Sequence, residues 1–352
     1  MPSNQVFDGR SFKLSFDSFE KEMDIQQWLE SVQSKIQHHT MERKKLLKEA
    51  ARISCGANIE DENDIPFPSQ KGGEPVSTEN SSPRLVAQDE LGENNRSTCY
   101  GKDIYEYFRS KELDTDVTTT STYMNGQPHM NAGMRSILVD WLIEVNLHMK
   151  LVPATLYLNV NIVDRYLSKA TVKRLDVQLV GVTALFIASK YEEICQCELE
   201  HMVHICDDAY TESEVLDMER QILQTLEYQL TVPSAHFFLA TYIEEDYPSN
   251  KSIEQLANFI LDGTLLSYEL LRYCPSTLAS AAMLIARNTL GMCPWSCTLA
   301  NYAQYSEAEV RIVARAVLAE KALIDPKLKT VIQKYSRSVY GCVANIDIHS
   351  VW

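Results

Sequence analysis

The sequence lacks the features that mark membrane, secreted and nucleic-acid-binding proteins. It has no run of five or more Lys and Arg residues, and its net charge of −15 would repel a phosphate backbone. The longest markedly apolar stretch, from about Leu179 to Ala188, is half a membrane span. The first ten residues contain no basic stretch followed by an apolar run. We therefore expect an intracellular chain whose main partner is neither a nucleic acid nor a membrane.

Patterns that indicate disulfides or catalysis are also missing. The nine cysteines are an odd number and are scattered through segments of helical periodicity, which favours reduced thiols. There is no phosphate-binding glycine loop, no G-x-S-x-G elbow and no protein-kinase signature. We predict a protein that is not an enzyme and that uses no cofactor.

One group of cysteines and histidines raises the question of a metal site. It contains Cys195, Cys197, His201, His204 and Cys206, and on a helix Cys197, His201 and His204 would share one face. Their spacing matches no standard zinc finger or ribbon. We predict no metal, and zinc is the minor alternative that stoichiometric metal in purified protein would support.

The first 98 residues differ in composition from the rest of the chain. Between Ser54 and Thr98 lie eight Gly and Pro residues, one aromatic residue and an excess of Asp and Glu, so this segment cannot bury enough apolar surface to become ordered. Apolar residues at helical spacing from Phe19 to Ile36, and helix formers from Glu42 to Lys48, predict one or two tail helices. Residues 1–98 are therefore predicted to be partly helical and then disordered.

Helical periodicity recurs from about Lys102 to Ile346, and no run alternates as a strand does. The segments Leu179–Ser189 and Leu278–Ala286 are apolar all round, which predicts two central helices enclosed by others. Their small residues superpose, and Pro233 is the predicted junction between them. The pattern predicts two similar helical bundles in tandem.

Several helix starts can be read directly from the sequence. Thr211–Glu214, Ser252–Gln255 and Ser306–Glu309 match the capping box, in which a hydroxyl and a carboxylate or amide satisfy free backbone amides. Pro153 suits a first helical position, and Asn131 suits an N-cap.

The helix predicted after Asn131 carries unusually much apolar surface. One broad arc contains Met134, Ile137, Leu138, Trp141, Leu142 and Val145, while Val139 and Ile143 lie outside it. Such a helix is either ordinary enclosed core or presents a second apolar face to a partner.

This same segment, Met134–Val145, resembles the opening helix of the cyclin box. Leu179–Glu193 resembles the third helix of that box, and Met218–Leu226 resembles the fifth. The likeness runs from roughly Tyr100 to Ala344 and includes a second helical repeat. It implies an all-α protein with a regulatory region at 1–98, two tandem five-helix cyclin folds at 99–232 and 233–346, and a tail at 347–352. Within cyclins, the likeness is greatest to the mitotic A and B types and leans toward B.

The resemblance implies a regulatory subunit that binds and activates a cyclin-dependent serine/threonine kinase in the G2/M part of the cell cycle, in the nucleus and cytoplasm. Lys190 and Glu219 match the pair that hydrogen-bonds to the kinase beside its mobile helix. Further kinase-contact positions are Tyr100, Ile104, Tyr107 and Tyr228. On pattern alone, the interpretation of Lys190 is a cation that favours the helix dipole, and the other positions are equally consistent with ordinary helix packing.

The resemblance also assigns a second surface. Its docking groove for substrates or inhibitors with an Arg-x-Leu motif corresponds to Met134, Ile137, Leu138, Trp141 and Gln178, with Glu144 placed to attract the arginine. The pair Arg135 and Asp164 matches an internal ion pair that fixes the first two helices.

Two regulatory sites are expected in the N-terminal region. Mitotic cyclins are degraded by ubiquitin-ligase machinery through an Arg-x-x-Leu destruction box, and Arg43 with Leu46 fits that minimal pattern. An ordinary amphipathic tail helix is the alternative, because the same pattern recurs inside predicted folded helices. Ser82-Pro83 is the only Ser-Pro or Thr-Pro pair in the sequence, so Ser82 is the expected site for a proline-directed kinase.

A rival hypothesis belongs to a different functional class. Transcription-initiation factors also contain tandem cyclin-like folds, so the chain could be a transcription or scaffold module that activates no kinase. Such factors hold DNA on basic surfaces, and the acidic charge of this chain argues against that role.

Overall fold

The computed structural model describes residues 101–114, 117–119, 121–246, 250–320 and 328–348. In this part of the chain the regular elements are α-helices and short 3₁₀ helices, with no strand. None of the helices within the described ranges is long and apolar enough to cross a membrane. The predicted tail helices, the predicted sites at Arg43, Leu46 and Ser82, and the contact position Tyr100 lie outside the described residues.

The first bundle is built around one enclosed helix. Helix α1 precedes the bundle and α2 to α6 form it; their bounds are Gly101–Lys111, Ala132–Met149, Pro153–Lys169, Val177–Glu192, Leu199–Ile205 and Glu212–Thr225. Every residue of α4 from Val177 to Ser189 is buried, because α2, α3, α5 and α6 all pack against it. The all-round apolar pattern of this segment therefore predicted a central helix correctly.

The second bundle repeats this plan. Helices α7 to α11 form it, with bounds Ala235–Asp246, Lys251–Leu265, Pro275–Thr289, Cys297–Ala303 and Glu307–Ala319. Its central helix is α9, which packs against α7, α8 and α11. A further helix, α12 at Thr330–Tyr335, packs against both α8 and α2 and so bridges the two bundles. The predicted all-α class and tandem arrangement are confirmed.

Four of the five helix starts predicted from the sequence are correct. The Asn131 side chain accepts a hydrogen bond from the amide of Met134 at 2.9 Å, and Pro153 is at the first position of α3. The capping boxes at Thr211 and Ser306 are both formed. These starts are as predicted.

The capping box predicted at Ser252 is wrong. Helix α8 begins at Lys251, and the side chain of Asn250 accepts hydrogen bonds from the amides of Ser252 and Ile253 at 3.1 and 3.2 Å. Asparagine and serine are about equally good N-cap residues. Because Asn250 accepts the hydrogen bonds of the free amides, the helix begins one residue after it and Ser252 lies inside the first turn.

Close approach of α2 and α4 depends on a glycine. A Cβ atom at Gly181 would lie 2.8 Å from Cδ1 of Leu138, which is fully buried, so the leucine side chain would have to shift inside the packed core. We expect Gly181→Ala to lower the free energy of unfolding by ~1–2 kcal/mol, since overpacking outweighs the better helix propensity of alanine. Urea unfolding measures this. Gly126→Ala is the control, because a Cβ there meets nothing within 4 Å, and equal stability of both variants would contradict the prediction.

Candidate functional site

The structure brings Lys190 and Glu219 into contact. Lys190 is in the last turn of α4 and Glu219 is on α6, and the ammonium and carboxylate form an ion pair. The ammonium also lies 4.1 Å from the centroid of the Phe186 ring. The side chains are 32% and 13% exposed, so the pair lies at the surface on two packed helices. Both charged groups are therefore held in fixed positions before any partner arrives.

The carboxylates that follow Lys190 have different environments. Glu193 accepts hydrogen bonds from the amide of Val152 at 2.8 Å and from the hydroxyl of Thr155 at 2.6 Å. From its position directly after α4, its carboxylate thereby caps the start of α3, where a negative charge is favourable. Burial raises the pKa of Glu192, and the neighbouring Glu193 raises it further.

Large apolar side chains are exposed on α1, directly after Lys190 and after α6. Ile104 and Tyr107 on α1 are 43% and 46% exposed, Tyr191 after Lys190 is 47% exposed, and Tyr228 after α6 is 65% exposed. A cleft of about 100 Å³ lies between α1, α3, the end of α4 and the segment that leads to α7. It is lined by Phe108, Ala154, Leu158, Tyr191, Glu192, Leu230, Thr231, Val232 and Ser234. Exposed aromatic groups around a cleft are typical of a protein interface.

The side chains assigned to the docking groove are more enclosed than an open groove requires. Met134, Ile137, Leu138, Trp141 and Gln178 are all buried, between 0 and 8% exposed. The residues outside the arc, Val139 and Ile143, are buried as well. Of the two alternatives for this helix, the structure therefore shows enclosure for nearly all its apolar surface.

Two polar groups on α2 nevertheless have unusual surroundings. The indole N–H of Trp141 is buried and donates to no acceptor among the described residues. One turn later, the pKa of Glu144 is raised to about 7, mainly by burial and also by the neighbouring Asp140, while Arg337 acts to lower it. An unpaired donor and a carboxyl of raised pKa lie at i and i+3, on the same side of the helix.

The pair Arg135 and Asp164 lies in the core. Two nitrogens of the guanidinium donate to the two carboxylate oxygens, each at 2.7 Å, and both side chains are at most 2% exposed. The Tyr123 hydroxyl donates to the same carboxylate at 2.7 Å. Arg135 also donates to the backbone carbonyl of Leu265 in α8 at 2.9 Å. The pair therefore connects the first bundle to the second, beyond its expected role within the first.

The cysteine and histidine group does not have the predicted arrangement. Helix α5 begins at Leu199, so Cys197 is not on the helical face of His201 and His204, which corrects that expectation. The two imidazoles lie 3.6 Å from the carboxylates of Glu198 and Asp208. Within the described ranges, no group of three or more His, Cys, Asp or Glu side chains is placed to hold a metal.

Comparison with known families decides the classification. The family described as "Cyclin, N-terminal domain" matches residues 103–231, and "Cyclin, C-terminal domain" matches residues 233–348. The chain belongs to the cyclin family. The first match ends at residue 231 and the second begins at Pro233.

Plant mitotic cyclins are among its relatives. Cyclin-B1-3 of Arabidopsis thaliana is 41% identical over 251 residues, which cover 70% of this cyclin and 59% of that protein. G2/mitotic-specific cyclin S13-7 of Glycine max is 40% identical over 244 residues, which cover 69% of this cyclin and 93% of that protein. The predicted mitotic A/B type is confirmed. This cyclin spans between half and two thirds of the length of several other plant cyclins that it matches.

A solved structure shares the fold. The viral cyclin from herpesvirus saimiri superposes with a TM-score of 0.54 at 21% identity, over 63% of this cyclin and 100% of that chain. At this identity the likeness shows the fold alone.

Sequence reasoning missed three features of this cyclin's surface. Tyr191 lines the cleft, but only its position directly after Lys190 pointed to it. Glu193 and Thr155 are 38 residues apart, so no local pattern revealed their contact. Trp141 was identified as apolar, whereas its unpaired N–H became visible only in the fold.

Proposed function

We propose that this cyclin is a regulatory subunit that binds and activates a cyclin-dependent serine/threonine kinase in the G2/M part of the cell cycle. The observation that carries the proposal is the ion pair of Lys190 and Glu219, held rigidly on α4 and α6 near exposed apolar side chains. The names of the plant relatives support the cell-cycle stage.

The mechanism follows from rigid presentation of charge. When a kinase buries Lys190 and Glu219, the binding free energy is favourable only in the kinase conformation that offers hydrogen-bonding partners to both groups. Binding therefore shifts the kinase toward that conformation. In the proposed complex, the mobile helix of the kinase moves inward and its glutamate meets the lysine that positions ATP. The exposed side chains of Ile104, Tyr107, Tyr191 and Tyr228 supply further apolar contact area. The chemistry belongs to the kinase, and the cyclin is not itself an enzyme.

The proposal is tested by mixing purified cyclin with a cyclin-dependent kinase. We expect a stable complex and strong stimulation of phosphorylation of a histone-like substrate. Absence of both would reject the proposal. Binding to duplex DNA that weakens steeply with salt would instead favour the rival transcription module, despite the net charge of −15.

A second part of the proposal concerns substrate recruitment. We propose that the surface of α2 around Trp141 and Glu144 docks proteins with an Arg-x-Leu motif. The buried indole N–H supplies a hydrogen-bond donor that lacks an acceptor, and Glu144 supplies a carboxylate for the arginine. Met134, Ile137 and Gln178 border the site, and because they are buried, the leucine must enter by small side-chain movements.

Docking of an arginine peptide should depend on pH. The pKa of Glu144 is about 7, above its ordinary value of 4.5, so its carboxylate forms as the pH rises from 6 to 8. An arginine side chain binds the carboxylate only, so we expect the affinity of an Arg-x-Leu peptide to rise roughly tenfold over this range. Fluorescence anisotropy of a labelled peptide measures it.

Two controls isolate Glu144 in that titration. The Glu144→Gln variant, and wild type with a peptide whose arginine is replaced by alanine, should both give a flat profile between pH 6 and 8. An equally steep profile for Glu144→Gln would show that another group titrates.

The N-terminal region carries the remaining proposals. We propose that Arg43 and Leu46 direct ubiquitin-dependent degradation, that Ser82 is phosphorylated, and that the protein occurs in nucleus and cytoplasm. Pulse-chase in cycling cells with Arg43→Ala plus Leu46→Ala, phosphopeptide mapping and imaging test these three statements. An unchanged half-life of the double variant in mitosis would reject the degradation signal.

A further inference from the structure

Helix α1 has two faces with different surroundings. On one face, the ring of Tyr105 packs against Tyr302 and Phe238 of the second bundle at centroid distances of 4.9 and 5.6 Å. On the other face, Ile104 and Tyr107 are exposed, three residues apart and therefore neighbours on the helix surface. The helix that offers these two side chains to a kinase is thus seated on the second bundle.

A polar cluster fixes the C-terminal end of α1 to that bundle. Arg109 donates to the hydroxyls of Ser276 at 2.8 Å and Tyr305 at 2.5 Å, and it forms an ion pair with Glu112. Its guanidinium carbon lies 4.6 Å from the centroid of the Tyr305 ring. We call these four residues, Arg109, Glu112, Ser276 and Tyr305, the α1 clamp.

Glu112 has an additional role at the start of α9. The N-cap residue Cys274 provides no side-chain hydrogen bond, and the carboxylate of Glu112 instead accepts from the Ser276 amide at 3.0 Å and the Ser276 hydroxyl at 2.8 Å. Glu112 is 3% exposed, so its charge is stabilised by Arg109 and by the positive end of α9. One side chain therefore both holds Arg109 of α1 and caps α9.

We propose that Arg109 and Glu112 are positioning residues for kinase binding, which hold α1 on the second bundle so that Ile104 and Tyr107 are presented to the kinase in a fixed orientation. This inference rests on the proposed function and deepens it. It gives the second bundle a role in kinase binding although the charged pair is on the first bundle. Apparent affinity falls in proportion to the fraction of molecules in the competent state. If the clamp is lost and α1 is docked in about one molecule in ten, the dissociation constant rises about tenfold.

The test measures kinase affinity of the full chain by surface plasmon resonance. We expect Glu112→Ala to raise the dissociation constant about tenfold, and Ser276→Ala, which keeps the backbone amide, to raise it about threefold. Ser276→Ala also serves if Glu112→Ala does not fold. Val317→Ala is the matched control. Val317 is fully buried in α11, so its replacement destabilises the same bundle without touching the α1 clamp. Its affinity for the kinase should equal that of wild type.

A double-mutant comparison separates positioning from general destabilisation. In a background of Ile104→Ala plus Tyr107→Ala, the exposed face of α1 has little to present, so Glu112→Ala should cause no further loss of affinity. A full additional tenfold loss in that background, or wild-type affinity of both clamp variants, would overturn the inference. Failure of wild type itself to bind the kinase would instead reject the proposed function.

Discussion

Kinase activation should be lost when Lys190 and Glu219 are both replaced by alanine, while the cyclin remains folded. The two groups form a partly exposed ion pair, and such pairs contribute only about 0–1 kcal/mol to folding stability. At an interface the same groups become desolvated. Truncating one member of a buried, hydrogen-bonded charge pair then costs about 2–5 kcal/mol, which is roughly 30-fold to several thousand-fold in affinity.

The double variant is the decisive form of this experiment. A single replacement leaves the other charge without its present partner, so part of its effect would come from the free cyclin. Isothermal titration calorimetry with the kinase gives the affinity, and a histone-like substrate gives the activity.

A matched control lies on the same helix. Asp217 and Arg220 form an exposed ion pair on α6, with side chains 56% and 64% exposed. Asp217→Ala plus Arg220→Ala removes the same two charges from the neighbouring surface and should change affinity less than twofold. Undiminished binding by the Lys190 and Glu219 variant, or equal losses in both double variants, would contradict the assigned contact surface.

The largest effect on stability is expected from Asp164→Ala. This change leaves the fully buried guanidinium of Arg135 without its carboxylate, and it removes the acceptor of the Tyr123 hydroxyl. Breaking a buried ion pair by removing one member costs about 3–5 kcal/mol. Because Arg135 also donates to the carbonyl of Leu265, the loss of stability should extend to both bundles. Urea unfolding followed by circular dichroism measures the change.

Removing both charges provides the comparison. Arg135→Met plus Asp164→Leu fills the space with apolar side chains and leaves no unpaired charge, so it should recover most of the stability lost in Asp164→Ala. If the free energy of unfolding of Asp164→Ala is within about 1 kcal/mol of the wild-type value, the ion pair does not have this structural role.

Local signals in the sequence were sufficient for much of the fold. The period of apolar residues and the capping residues at Asn131, Thr211 and Ser306 act within a few positions of the chain, so their outcome could be predicted without the tertiary structure. The prediction of the start of α8 was wrong because two good capping residues, Asn250 and Ser252, lie within the same turn.

The site could be predicted only in part, because its contacts join residues distant in sequence. Resemblance named Lys190 and Glu219 as a functional pair, but their mutual contact depends on the packing of α4 against α6. The same limit applies to the capping of α9 by Glu112, a residue 164 positions away from Ser276. The apolar periodicity indicated that α2 carries more apolar surface than one core-facing stripe, but it could not distinguish an enclosed helix from one that borders an open groove. That depends on what packs around the helix, including α12 from the far end of the chain.

The structure of this cyclin bound to a cyclin-dependent kinase is the sharpest test of the proposed kinase contact. We expect Lys190 and Glu219 to be buried at the interface and hydrogen-bonded to the kinase beside its mobile helix, with Ile104 and Tyr107 in the same contact. A complex in which Lys190 and Glu219 both face solvent, away from the kinase, would contradict it.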